Sequence, residues 1–480
     1  MPTLNSFEEQ HFSLISVLSI GYSVTNSAMA ILASLSIAIG NGGPVLWTWA
    51  HIAIAIISLC IAVTLGEFAS AMPNAAGQMY WVSVLAPRRV RRGCAYLTGV
   101  LAWASSLCIV ASGTLITPQM VIGMYSLHRP DFVYKPWMGF VGFQVTNLFV
   151  FFFNIIERFL PRLGQGSLAL SVVSIAIIFV TMLSMSQDKQ PASFVFTQFV
   201  NTSGWDGTIA ALTGVLGISW GYSRLDVCTH LEEEVPQPER NIPKALLATV
   251  LVGFATAFPM VLALLFSITD ITPVISTPTL VPSLEVFRQA CNSSTAAALG
   301  LQTLVVAVFL GSIFGAHTWQ ARLCWSLARQ KGLPGSKCLS QIAPRPFSVP
   351  LWAHFTSCVI VSLLGIIYLG SSVAFNAFVS CGIYFQYTTY SICVICLFLR
   401  GRSRFAHGPF WLPRAGPVCH VVTVAWTVFS LVMYSFPPTA AITPTTVTYS
   451  PVIYVGVLVL TAVLWVSYGR RHFVCPVESD

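Results

Sequence analysis

Over 480 residues, 55% are hydrophobic and only 8% are charged, with a mean hydropathy of +0.76. A soluble globular chain carries roughly 25% charged residues, so most of this chain belongs in lipid, and no linker or charge run sets apart a soluble domain. The formal charge of +8 is a matter of loop placement, developed below, and argues for no nucleic-acid partner.

In chain order, twelve apolar segments each approach the ~20 residues a bilayer requires: 13–40, 45–71, 94–125, 138–157, 166–186, 207–231, 243–268, 296–327, 350–370, 373–399, 416–436 and 450–468. The expected fold class is an all-α polytopic membrane protein. The first segment lacks a basic n-region and a cleavage site, so it is read as structural rather than as a removable signal. It is interrupted by Gly21-Tyr22-Ser23-Val24-Thr25-Asn26-Ser27. The sixth is interrupted by Gly221-Tyr222-Ser223-Arg224-Leu225-Asp226. Within hydrocarbon, unwound backbone survives only where protein or a water-filled cavity supplies hydrogen bonds. Two broken segments at corresponding places in two halves are the strongest sequence pointer to a secondary transporter's binding site.

Orientation follows from Lys and Arg. One set of loops holds Arg88, Arg89, Arg91, Arg92, Arg158, Arg162, Arg240, Lys244, Arg329, Lys331, Lys337, Arg345, Arg400, Arg402, Arg404, Arg414, Arg470 and Arg471; the opposite loops hold Arg129, Lys135, Lys189 and Arg288. The crowded side is expected to be cytoplasmic, with both termini (1–12 and 469–480) there. The glycosylation sequons at Asn201 and Asn292 fall in the opposite loops, as that orientation requires. Segments 1–5 (13–186) and 6–10 (207–399) then run as inverted copies, followed by segments 11 and 12 (416–468). This brings both breaks together near the midplane. Free N–H groups at one helix stump suit an anion, and free C=O groups at the other suit an ammonium or a coupling cation. Read blandly, Gly and Ser at such places serve helix packing.

Four stretches carry a resemblance: Phe12–Pro44, Gly66–Val82 (GEFASAMPNAAGQMYWV), His230–Leu246 (HLEEEVPQPERNIPKAL) and Ala321–Ser336 (ARLCWSLARQKGLPGS). They resemble the fungal amino-acid/choline permeases of the amino acid–polyamine–organocation superfamily. The match runs through nearly the whole chain, with the motifs in order. The resemblance implies a LeuT-like five-plus-five inverted repeat with two extra helices. It also implies a plasma-membrane carrier of amino acids, GABA, choline or polyamines, commonly driven by protons. On that basis Tyr22, Ser23, Thr25, Asn26 and Ser27 offer one wall of the site, and Gly221 to Asp226 the other. Trp220 and Tyr222 stand as aromatic lids over an ammonium, with ordinary packing as the alternative. Related permeases usually place a small residue, often Gly, at Arg224. Arg224 and Asp226 are the unusual charges, expected either to pair with each other or to face different partners, with Arg224 as a candidate receptor for a substrate carboxylate.

Glu67 is a candidate for the inner gate or for proton coupling, with the gate preferred. Glu232, Glu233 and Glu234 close the sixth segment, near Arg88, Arg89, Arg91, Arg92 and Arg240, and suggest gating ion pairs, with a solvated charge run as the alternative. His230 is a candidate coupling or gate residue, against a reading as a satisfied helix-end residue. No Lys occurs in the fifth segment, so a Lys standing in for a sodium ion is absent. Cys393-Val394-Ile395-Cys396 has CxxC spacing but lies in an apolar segment without a second pair. No cofactor and no metal set is expected. No G-x-x-x-x-G-K-[ST] or H-E-x-x-H motif occurs, and the G-x-S-x-G match at Gly217-Ile218-Ser219-Trp220-Gly221 lies inside an apolar segment rather than at a strand-to-helix turn, which speaks against an ATP-driven pump and against an enzyme. The expected partners are a small amine or amino acid, protons and the bilayer. A transport-derived nutrient sensor is the alternative function.

Overall fold

The computed structural model describes residues 14–129, 131–156, 160–443 and 446–479. The segment 1–12 and Arg158, both used above, lie outside the described residues. Among the described residues, eleven helices are long and apolar enough to cross a membrane. The sixth span, being broken, adds a twelfth. The first span is α1 (Leu14–Thr25) followed by α2 (Ser27–Gly40), and the second is α3 (Gly43–Ala71). A short α4 (Gln78–Leu85) leads to α5 (Arg91–His128), α6 (Pro136–Asn154) and α7 (Leu160–Met185). After α8 (Ala192–Thr197), the sixth span is α9 (Gly207–Trp220) plus a 3₁₀ helix over Leu225–Glu234. Next come α10 (Pro238–Ser267), the loop helices α11 (Thr272–Ile275) and α12 (Pro282–Ala290), and α13 (Thr295–Arg329). The chain then forms α14 (Ser336–Leu339), α15 (Leu351–Gly370), α16 (Ser372–Arg400), α17 (Ala415–Met433) and α18 (Ser450–Leu464).

Span n packs against span n + 5 four times over: the two broken spans on each other, α3 on α10, α5 on α13, and α6 on α15. That set of partners is the one expected of two repeats of five spans. Apolar side chains exposed along α6, α15 and α18, such as Phe152, Leu363 and Val459, face outward, where lipid covers them. The broken first span is buried almost throughout, so the breaks sit in protein, as backbone physics demands.

The breaks are shorter than the sequence suggests. Helix α1 runs unbroken through Gly21 to Thr25, and the chain departs from helix only at Asn26, whose φ is 36°. Gly21 is a packing glycine: a Cβ there would strike Cys228 Sγ and Thr249 Oγ1. In the sixth span the unwound residues are Gly221–Arg224, and Asp226 already belongs to the 3₁₀ turn. Arg224 is left-handed, with φ 68°. Asn tolerates that conformation, whereas a residue with a long side chain meets a cost of roughly 1–2 kcal/mol.

Candidate functional site

The two breaks face each other. At the first, the carbonyls that α1 leaves without helical partners are taken up by side chains. Ser312 Oγ on α13 donates to Val24 O at 3.0 Å, and Arg224 Nη2 donates to Thr25 O at 3.2 Å. Asn26 donates through Nδ2 to Ser171 Oγ on α7 at 3.2 Å. The N-terminus of α2 has no side-chain cap, so its first N–H groups present the positive end of the helix at the break. Thr25, Asn26, Met29, Arg224, Phe309 and Ser312 line the narrow space between the spans.

Arg224 and Asp226 do not pair. An αL residue turns the chain, and side chains two positions apart leave on different sides. The Arg224 guanidinium lies 4.9 Å over the Trp220 ring, which itself stacks on Phe309 of α13. The face expected to lid a substrate ammonium is therefore already covered by Arg224. Asp226 points the other way, towards α4 and α16. It accepts from Gln386 Nε2 at 2.7 Å, Tyr390 OH at 2.9 Å and Gln78 Nε2 at 2.9 Å, with His230 Nε2 at 3.6 Å. Gln386 also accepts from the Arg224 backbone N–H through its Oε1, at 3.1 Å. One α16 side chain thus holds both sides of the sixth-span break.

Four buried polar atoms beside these breaks have no partner: Thr25 Oγ1, Ser27 Oγ, Trp220 Nε1 and Arg224 Nε. All four can donate. Other buried polar atoms lack a partner elsewhere in the chain; these four share two adjoining breaks.

The other expected wall residues are turned elsewhere. Tyr22 OH bonds Thr256 Oγ1 on α10 at 3.0 Å. Ser23 faces α7, lining a cavity of ≈ 30 Å³ with Val24, Gly164, Gly311 and Arg322, room for about one water. Gly221 packs close to Ser27 O and Ile31. Tyr222 OH bonds His51 Nε2 of α3 at 2.7 Å, among Phe254 and Phe258, so its ring is not a lid in this conformation.

The expected gate residues are engaged, but with other partners. Both carboxylate oxygens of Glu67 accept from Arg402, at 2.7 and 2.9 Å, and Oε1 also accepts from Leu412 N–H at 2.9 Å. His420 Nε2 lies 3.2 Å from Oε2, so the cluster clasps α3 to α17. His230 Nδ1 meets Ala75 O at 2.9 Å. Glu232 Oε2 accepts from Asn74 N–H, and Glu233 pairs with Arg329 at 3.2 Å. The expected arginines do not supply these bonds; Arg92 instead donates to Phe473 O at 2.6 Å. Asn201 and Asn292 are exposed, in the loops before α9 and α13. Asn201 Nδ2 donates to Trp205 O at 2.7 Å, and Asn292 Nδ2 to Met185 O at 3.2 Å.

Residues 12–460 match the amino acid permease family. The chain belongs to that family. The permease is 41% identical to the choline transporter of Saccharomyces cerevisiae, over 98% of this chain and 83% of that protein. It is 38% identical to the swainsonine transporter swnT of Arthroderma benhamiae, over 97% and 92% of the two chains. It is 28% identical to the 7-keto 8-aminopelargonic acid transporter of S. cerevisiae, over 95% and 92%. The permease is a multi-pass membrane transport protein. Sequence reasoning missed Gln386, Gln78, Tyr390, Ser312 and His51. Gln386 and His51 had a signal available, since each is a strongly polar side chain inside an apolar span.

Proposed function

We propose that the permease imports a small amine-bearing solute that also carries a carboxylate, by alternating access about the two breaks. The carrying observation is the Arg224 guanidinium: buried, without a carboxylate partner, and with Nε unpartnered beside the unpaired Thr25 hydroxyl. A buried cation normally has its counter-ion, and a solute carboxylate between Arg224 and the uncapped α2 N-terminus supplies one. The left-handed backbone at Arg224 supports this reading. Gly would sit there without strain, so the Arg is retained for its side chain. In this reading the solute's amine turns towards the unpaired Ser27 hydroxyl, which can accept from it. The narrowness of the space implies that α1 and the 3₁₀ segment part from α13 during loading.

The choline and swainsonine transporters named above favour an amine as cargo; the 7-keto 8-aminopelargonic acid transporter bears the name of a solute with both groups. Under the same proposal, spans 1–5 and 6–10 are inverted repeats, a helix bundle rocks about the midplane site, both termini are cytoplasmic, and the membrane is the plasma membrane. Protons drive uptake, with Asp226 as carrier, because it is the carboxylate at the break. The test is competition uptake in cells lacking their own amine permeases, with labelled GABA, choline, a polyamine and an amino-acid panel. The reading expects uptake of a carboxylate-bearing amine that rises with external acidity at clamped voltage. Preferential uptake of choline or polyamine overturns the carboxylate assignment. Strict sodium dependence without pH dependence overturns proton coupling, and no uptake by correctly localised protein leaves the sensor reading.

A further inference from the structure

Away from the breaks, three metal-ligating side chains meet where α13 packs on α15. His354 and Cys358 are one turn apart on α15, and His317 reaches them from α13; one ligand atom from each lies within 4.8 Å of the others. Cys358 Sγ is 3.5 Å from His317 Nδ1 and 3.8 Å from His354 Nδ1. Ligands held at ~2.0–2.3 Å from one ion stand roughly 3.3–4 Å apart, so the thiol already has that spacing from both imidazoles, while the two imidazole nitrogens lie within 4.8 Å of each other.

The surroundings point the same way. All three residues are buried. His317 Nδ1 is approached by both the Cys358 thiol and Gln320 Nε2, the latter at 3.2 Å. A neutral imidazole nitrogen offers only one lone pair or one proton, so this neighbourhood is crowded around a single site. Gln320 Oε1, on the same amide, is buried with no partner. The rings are also held from outside: Phe151 stacks on His354 at 5.0 Å, and Thr114 Oγ1 lies 3.5 Å from His317 Nε2. Such outer contacts fix ligand orientation.

We infer that His317, His354 and Cys358 form a binding site for a soft monovalent cation, Cu⁺, tying α13 to α15. Imidazole and thiolate suit both Cu⁺ and Zn²⁺. Charge decides between them: one thiolate neutralises Cu⁺, whereas Zn²⁺ leaves a net positive charge in a dry interior, which is costly. On binding, Cys358 gives its proton to solvent and the two histidines coordinate as neutral rings. The site lies on the α13 face away from Ser312, so it braces the wall of the transport site without entering it.

The test titrates purified full-length permease with Cu⁺, anaerobically, against a chromogenic Cu⁺ chelator. One equivalent is expected to be withheld from the chelator. Cys358→Ser and His317→Asn should each weaken retention by at least about 100-fold, beyond what an outer-sphere change costs. Cys338→Ser, at an exposed cysteine, should leave it unchanged. X-ray absorption of the loaded wild type should show two nitrogen scatterers and one sulfur, a readout that does not depend on any variant folding. Retention equal in wild type and Cys358→Ser, a shell with two sulfurs, or displacement of Cu⁺ by equimolar Zn²⁺ overturns the assignment.

Discussion

Glu67 offers a clean separation of clasp from proton carrier. Its carboxylate is buried, is held by both Arg402 Nη atoms, and accepts a third bond from Leu412 N–H. Glu67→Gln keeps the volume and one acceptor oxygen but leaves Arg402 without its counter-charge. Removing one partner of a buried pair costs about 3–5 kcal/mol. Because Arg402 is 16% exposed and a Gln oxygen still accepts, the lower end, about 3 kcal/mol, is expected here. That is roughly 150-fold in the clasped-to-unclasped ratio. The assay is the half-life of detergent-solubilised permease on heating, since unfolding of such proteins is commonly irreversible. The double variant Glu67→Gln/Arg402→Met should recover part of the lost half-life, because no charge is then stranded. Glu67→Gln that remains in the membrane should keep the wild-type dependence of uptake on external pH. Normal thermal stability together with pH-independent uptake would refute the clasp and make Glu67 the proton carrier.

Three further outcomes follow from the geometry. Gln386→Leu removes an acceptor from Arg224 N–H and a donor from Asp226, together about 2 kcal/mol; uptake should fall about 30-fold at unchanged surface expression, and unchanged uptake contradicts the bridging role. At Asn26, the left-handed backbone reverses the usual helix ranking: Asn26→Gly should melt higher than Asn26→Ala by the ~1 kcal/mol that Ala meets there, and equal melting would show that the break has moved. On the exposed side, burial acts to raise the Glu285 carboxyl, but bonds from Arg288 and Gln289 outweigh it and hold it below its ordinary value. The folded state therefore gains stability above the ordinary carboxylate pKa and loses it as pH falls through the lowered one. Melting curves of wild type should show that acid-side loss, and Glu285→Gln should flatten it.

The spans and the existence of two breaks were legible because polar residues inside apolar runs have only one tolerable setting in a bilayer. The exact break points were less so. Gly21 reads as a hinge in sequence but serves to admit Cys228 and Thr249, and only the left-handed residues, Asn26 and Arg224, turn the chain. Arg224 and Asp226 are close in sequence and invite pairing; a backbone turn between them sends one to α1 and Trp220 and the other to α16. The glutamate clasp drew on residues already visible as charges. Glu67 and Arg402 are separated by most of the chain, however, and nothing local links them. His317 and the His354–Cys358 pair escaped for the same reason, since a ligand set shared between spans has no local spacing.

The central claim is that Arg224 receives the solute's carboxylate. Its most direct test compares uptake into proteoliposomes of a carboxylate-bearing amine with that of its decarboxylated analogue, in wild type and in Arg224→Gly. Truncating one member of a buried, hydrogen-bonded charge pair costs about 2–5 kcal/mol, or roughly 30- to 4,000-fold in kcat/KM. The account predicts that wild type prefers the acid-bearing solute by a factor in that range and that Arg224→Gly loses the preference while still carrying the decarboxylated amine. The same preference in both proteins would contradict it.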